Sequence, residues 1–332
     1  MARIQLSLAI SDYDHVRDLS SGVIQAEGIE LVPMKFSVEE IFWRFAKYQE
    51  WDVSEMSSAN YTSLVSRGNQ EMTAIPVFPS RVFRCSSFYV RRDSKLTSGE
   101  QLKGKRVGIP EWIQSAGVYA RGFLAHECGI NLADIEWYRS GVNQPGREEK
   151  IIFDPPKGVK IISVNDRSLD QMLADGDLDA IMTAHPPDSF GHERGGATTV
   201  RLYEDFEKVE LEYWRKTGIF PIMHIIAIRA DVVRKYPWVP MNLFKGFEEA
   251  KRRSVERMFD MTASRFPMPW GAQAAARSAE IFKGDPWPYG IEPNRVTIDG
   301  FLGYCAEQHV SPHRLKPEDL FVKETVGSLF KI

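Results

Sequence analysis

Arg91-Arg92-Asp93-Ser94-Lys95-Leu96-Thr97-Ser98-Gly99-Glu100 is polar apart from one leucine, and it separates two stretches that each alternate short apolar runs with helical patterns. Such a segment reads as a linker or hinge exit. Upstream, strand patterns fall at 4–10, 29–34, 52–56, 73–78 and 83–90. Among them Val38, Ile41, Phe42 and Phe45 recur at helical spacing, behind a capping box of Ser37 and Glu40. Downstream the alternation restarts with strands at 106–110, 135–138, 159–164 and 178–183, and helices at about 114–128, from Ser168 onward with Gln171, and at 203–216. A Pro/Gly-rich loop spans 141–158 and a further loop 188–200. A strand at 222–228 is followed by a mostly helical remainder, including a long helix near 241–264. Strands alternating with helices predict α/β architecture with helices on the faces of mostly parallel sheets. The interruption at 91 and the return at 222 predict two lobes. The first is 1–91 plus 222–332, and the second is 92–221.

The 332 residues suffice for two cores, and 43% hydrophobic with 26% charged is an ordinary globular balance. A formal charge of −3 shows no basic excess for nucleic acid or an anionic membrane. No apolar run has the length of a membrane span. Ile4, Leu6, Leu8 and Ile10 alternate with other residues, a strand pattern rather than the unbroken core of an export signal, so a cytoplasmic location is expected. Cys85, Cys128 and Cys305 are too few and too scattered for a disulfide framework or a zinc site. A homodimer is expected only on the base rate for soluble oligomers.

In open α/β sheets ligands sit at the carboxyl ends of strands, which directs attention to five segments. Ser11–Arg17 carries Asp14 and His15. Glu55–Tyr61 carries Ser58 and Asn60. Pro79–Cys85 carries Arg81 and Arg84, whose planar forks suit a dianionic ligand although a lone arginine is more often a surface ion pair. Pro110–Ser115 carries Glu111 and Trp112, then Gln114 and Ser115 at a helix start that favours an anion. Thr183–Pro186 carries His185. Histidine is the commonest general acid or base, and His15, His185 and His224 lie in or beside these segments. His126, His309 and His313 read as structural or exposed, and His192 in a Gly/Arg loop is uninformative. No phosphate loop, nucleophile elbow or metal-ligand spacing is present.

Five pieces taken together resemble the 4,5-dihydroxyphthalate decarboxylase family: Asp52–Ser57, Ile75–Arg84, Leu102–Glu111, Thr217–His224 and Trp287–Arg295, in order and nearly end to end. The resemblance implies a type 2 periplasmic-binding-protein-like fold, with mixed sheets flanked by helices and a ligand cleft between lobes. It also implies a lyase that yields protocatechuate in phthalate breakdown. Two positions depart from the family's usual pattern: His15 stands where arginine is usual, and Cys85 where histidine is usual.

For such a substrate, protonation of the carboxylate-bearing ring carbon before CO2 leaves avoids an aryl carbanion. The para hydroxyl supplies the electrons, so neither cofactor nor metal is expected. The site assignments that follow give Arg81 and Arg84 to the carboxylates and His224 to proton donation, with Glu111 or Asp14 as the alternative acid/base. His15 and His185 contact the ring hydroxyls, and Trp112 covers the ring. Ser58, Asn60, Gln114 and Ser115 complete the substrate-binding set. The rival expectation is a solute-binding protein for an aromatic or sulfonated acid on the same scaffold.

Overall fold

The computed structural model describes residues 3–191 and 197–326, so His192 lies outside the described residues. In chain order the strands are β1 (Ile4–Ala9), β2 (Ile29–Met34), β3 (Val53–Ser57), β4 (Met72–Ile75), β5 (Phe88–Arg91), β6 (Arg106–Ile109), β7 (Glu136–Arg139), β8 (Lys160–Ser163), β9 (Ala180–Met182), β10 (Thr199–Arg201) and β11 (His224–Arg229). The helices are α1 (Asp14–Ser20), α2 (Val38–Tyr48), α3 (Ser58–Ser66), α4 (Ser115–His126), α5 (Leu169–Ala174), α6 (Phe206–Thr217), α7 (Ala230–Lys235), α8 (Val239–Phe259), α9 (Gly271–Ile281) and α10 (Arg295–Glu307).

Two mixed sheets result. The first runs β2-β1-β3-β11-β4 and the second β10-β5-β9-β6-β7-β8. β1 pairs parallel with β2 on one side and β3 on the other, and β11 lies antiparallel between β3 and β4. In the second sheet β9, β6, β7 and β8 are parallel, while β5 is antiparallel to both β9 and β10. Leu6 and Leu8 of β1 are buried in the first core, as the alternation predicts. Ser37 caps α2 by accepting from the backbone N–H of Glu40 at 3.4 Å. Ser168 and Gln171 form the reciprocal capping box that opens α5.

The strand pattern at 83–90 condenses to β5, which joins the second sheet, so the first crossing between sheets lies upstream of residue 88 rather than at 91. The physical reason is local. Arg81 bridges Ile222, the Met223 N–H donates to the Ser80 carbonyl at 2.8 Å, and the Val82 N–H donates to the Pro221 carbonyl at 3.2 Å. Both crossings therefore run side by side as a short antiparallel pair. β10 falls in the stretch expected to be loop, as a three-residue edge strand. The helical remainder does not serve the first lobe alone. α8 packs on α1, whereas α10 packs on both α3 and α4 and sends Phe301, Tyr304 and Cys305 into the second core. Among the described residues no helix is long and apolar enough to cross a membrane.

Candidate functional site

The site begins with a charge in a strand that has no room for one. All five residues of β3 are buried, including Glu55, which is fully buried. Burying a carboxylate is costly unless donors surround it. Glu55 has three. The Ser11 backbone N–H donates to Oε2 at 2.9 Å, the Tyr13 hydroxyl donates to Oε1 at 2.5 Å, and His224 Nδ1 lies 2.6 Å from the same oxygen. Register explains the meeting: His224, the first residue of β11, pairs with Ser57, two residues beyond Glu55 and on the same face. Burial, then the neighbouring Glu55 carboxylate, pushes the Tyr13 phenol far above its ordinary range, which keeps it a neutral donor. Phe42 meets the His224 ring edge-on at 4.8 Å. With Nδ1 committed to Glu55, Nε2 is the atom His224 can offer to the cleft it lines.

That cleft, of about 390 Å³, lies between the lobes. Arg84 lines it, with Nε 3.1 Å from the Met223 sulfur and no carboxylate at ion-pair distance among the described residues. Burial lowers its guanidinium to about 10, still above neutrality, so Arg84 remains a cation. Glu111, 2% exposed, binds Arg147 at 2.6 Å and Lys150 at 2.7 Å. All three line the cleft. At its floor the Ser57 and Ser115 hydroxyls meet at 2.9 Å across the lobes, and Ser115 Oγ also accepts from the Ala59 N–H at 3.1 Å. Gln114 caps α4 through its backbone, with no side-chain bond, and lines the cleft. Asn60 lines it too, its buried Oδ1 without a partner. His185 lines the cleft and holds Glu39 of α2.

Five expected site residues lie elsewhere. Asp14 faces α8, accepting from Ser254 at 2.5 Å and pairing with Arg17 and Arg257, so it is a helix-docking anion rather than an acid/base in the cleft. Arg81 is 5% exposed, donates to Asn294 Oδ1 and to the Phe220 carbonyl, both at 2.8 Å, and stacks over the Phe220 ring. It braces the crossing, so the expected Arg81–Arg84 clamp is not assembled. Trp112 is fully buried against the Arg121 guanidinium at 3.9 Å and donates to the Gln308 carbonyl, so it has no face for a ligand. Ser58 lines a separate small void of about 20 Å³ beside Tyr61 and Thr62. His15 is wedged between Tyr13 and Trp287, its imidazole pushed down to about 4 chiefly by burial. Cys85, like His15, is outside the cleft, buried in the second core. Both departures from the family pattern therefore sit behind the walls.

Sequence reading missed Glu55 and Tyr13, which back His224, and Arg147, Lys150 and Glu39, which line the cleft. An isolated Glu between Ser54 and Met56 in an otherwise buried strand was the available signal for the first. Among the described residues no cluster of three or more His, Cys, Asp or Glu side chains is arranged to hold a metal ion.

Comparison with known proteins bears on this geometry. No family model matches the chain. A protein from Comamonas testosteroni named 4,5-dihydroxyphthalate decarboxylase is 36% identical over 333 residues, covering 100% of both chains. A protein of the same name from Pseudomonas putida is 35% identical over 216 residues, 65% of this chain and 83% of that one. In fold, the chain is similar to the periplasmic aliphatic sulphonate binding protein SsuA of Escherichia coli (TM-score 0.55, 12% identity, 98% and 99% covered). It is also similar to SsuA of Xanthomonas axonopodis bound to MOPS (TM-score 0.51, 11% identity, 97% and 99% covered). These likenesses show the two-lobed periplasmic-binding-protein-like fold. End-to-end identity with the Comamonas protein, together with that fold, places this chain in the 4,5-dihydroxyphthalate decarboxylase family.

Proposed function

We propose that this chain removes one carboxylate from 4,5-dihydroxyphthalate to give protocatechuate, without an external electron sink. The observation that carries the reading is His224, backed by buried Glu55, in the same interlobe cleft as Arg84, which has no carboxylate at ion-pair distance among the described residues. Arg84 holds a carboxylate of the substrate. The hydroxyl para to the departing carboxylate, as its phenolate, pushes electrons to the carbon that bears that carboxylate. That carbon takes a proton from Nε2 of the His224 imidazolium, and a C–H bond forms. The ring–carboxylate bond then breaks, CO2 leaves, and its electron pair restores the aromatic ring and the phenolate. His224 recovers a proton from the next substrate's hydroxyl or from solvent. Glu55 is a positioning residue: it holds Nδ1, which fixes the ring and leaves Nε2 toward the cleft. The interlobe contacts hold the ring close and exclude water.

The test is a chromatographic assay of the purified, chelator-treated protein with 4,5-dihydroxyphthalate, in which protocatechuate and CO2 should appear in equal amounts. Thermal stabilisation by the substrate with no product would reject the decarboxylase reading. It would favour a solute-binding role on this scaffold.

A further inference from the structure

The cleft holds more positive charge than it uses. Arg84, Arg147 and Lys150 all face it, and Glu111 is the one carboxylate bound to any of the three among the described residues. The two other acid–base contacts at the cleft, Glu39 with His185 and Glu55 with His224, each join one carboxylate to one imidazole. Glu149, between Arg147 and Lys150 in the loop at 141–158, accepts from the Trp112 and Ile113 N–H groups and has Arg139 at 3.6 Å. Counting direct contacts, two cationic charges are thus left over, in two places, with Glu210 acting on Arg84 only from farther off. One is Arg84. The other belongs to the Glu111–Arg147–Lys150 cluster, where two cations share one buried carboxylate.

We propose that Arg147 and Lys150 are the receptors for the second carboxylate of the substrate, with Glu111 as the resident counter-ion that holds them in place while the cleft is empty. A guanidinium and an ammonium on a common Glu111 oxygen, at 2.7 Å each, keep further donors for an incoming anion. They stand where the cleft opens into a wider groove of about 1010 Å³ along α2, which both also line together with Glu39, Glu40, Glu148 and Glu149, so they can be reached from the groove as well as from the cleft. Their loop, 141–158, carries selectivity for two carboxylates over one, and His224 carries the proton.

This inference rests on reading the cleft as the substrate site, and its test uses ligands that the reaction leaves intact. Phthalate and benzoate lack the para hydroxyl, so calorimetric titration reports binding alone. The whole protein should bind phthalate at least tenfold more tightly than benzoate. Arg147→Gln and Lys150→Met should each cut that ratio at least fivefold by weakening phthalate, and Lys150→Arg should keep it. A fall of less than fivefold in both variants, an equal loss for benzoate, or no preference in the unaltered protein would overturn the assignment. Should Arg147→Gln fail to fold, Lys150→Met against Lys150→Arg decides alone. A protein that passes this test but releases no CO2 from 4,5-dihydroxyphthalate would refute the decarboxylase reading and leave the selectivity assignment intact.

Discussion

Glu39 of α2 and His185 in the turn after β9 meet at 2.6 Å, one from each lobe, at the rim of the cleft. The bond to Glu39 raises the His185 imidazole above 6.5, and the same bond lowers Glu39 from 4.5 to about 2. A raised base contributes fully below its unfolded value and loses that contribution as pH rises through the raised one. A lowered acid contributes above 4.5 and loses it as pH falls toward 2. The pair is therefore fully formed between 4.5 and 6.5 and fades as pH rises through the raised His185 value. Both side chains are well exposed, so it contributes about 1 kcal/mol or less. The Tm difference between the unaltered protein and His185→Gln should be largest in that window, at about 1–2 °C, and shrink at alkaline pH. A difference that grows with pH would contradict the pairing.

Glu55→Gln keeps the shape of the buried side chain but removes the carboxylate that holds His224 Nδ1. Turnover should fall by about 100-fold or more, within the range for loss of general acid catalysis. KM should stay within about twofold, because Glu55 does not face the ligand. A KM that worsens along with kcat would assign Glu55 to structure alone.

Arg84 is held in the cleft with burial opposing its charge, no carboxylate at ion-pair distance among the described residues, and only partial support from Glu210 farther off. Arg84→Met should weaken substrate binding at least about tenfold, the loss of one charge-assisted pair. It should also make the empty protein more stable, by about 2 °C or more in Tm. Opposite signs for stability and affinity separate this role from a packing role, which would lose both.

Arg81 predicts the reverse pattern. Its two hydrogen bonds and its stacking on Phe220 brace the crossing between sheets. Arg81→Ala should cost about 3 kcal/mol in chemical denaturation, while the folded fraction keeps its affinity. Unchanged stability with lost affinity would restore the direct substrate contact expected from the sequence.

The contrast between Arg81 and Arg84 shows how far the sequence could be read. Alternation in β1, the spacing in α2 and the capping box of α5 are local signals, and local geometry obeyed them. Which of two arginines three residues apart enters the cleft depends on the Arg81–Ile222 bridge, whose partners are far apart in the chain. Asp14 looked catalytic beside His15, but α8 arrives with Ser254 and Arg257 to claim it. Trp112 looked like a ring cover, yet Arg121 and Gln308 draw it into the core. His224 could be singled out because it is a histidine in an apolar strand pattern beside the candidate cleft segments. Its partner Glu55 escaped notice because a carboxylate in a buried strand signals only that some donor must exist. Arg147 and Lys150 sit in a loop rich in proline and glycine, where composition marks a connection and hides its contacts.

α10 touches both α3 and α4, the two helices that begin at Ser58 and Ser115 on either side of the cleft floor. It therefore acts as the spine of a book. Leverage about such a spine is unequal: a given tilt barely parts Ser57 from Ser115 near the binding, yet carries Glu39 and His185 well apart at the fore-edge. Pages turned this way would admit a flat molecule from the edge while the print nearest the spine, Glu55 and His224 included, stayed in register.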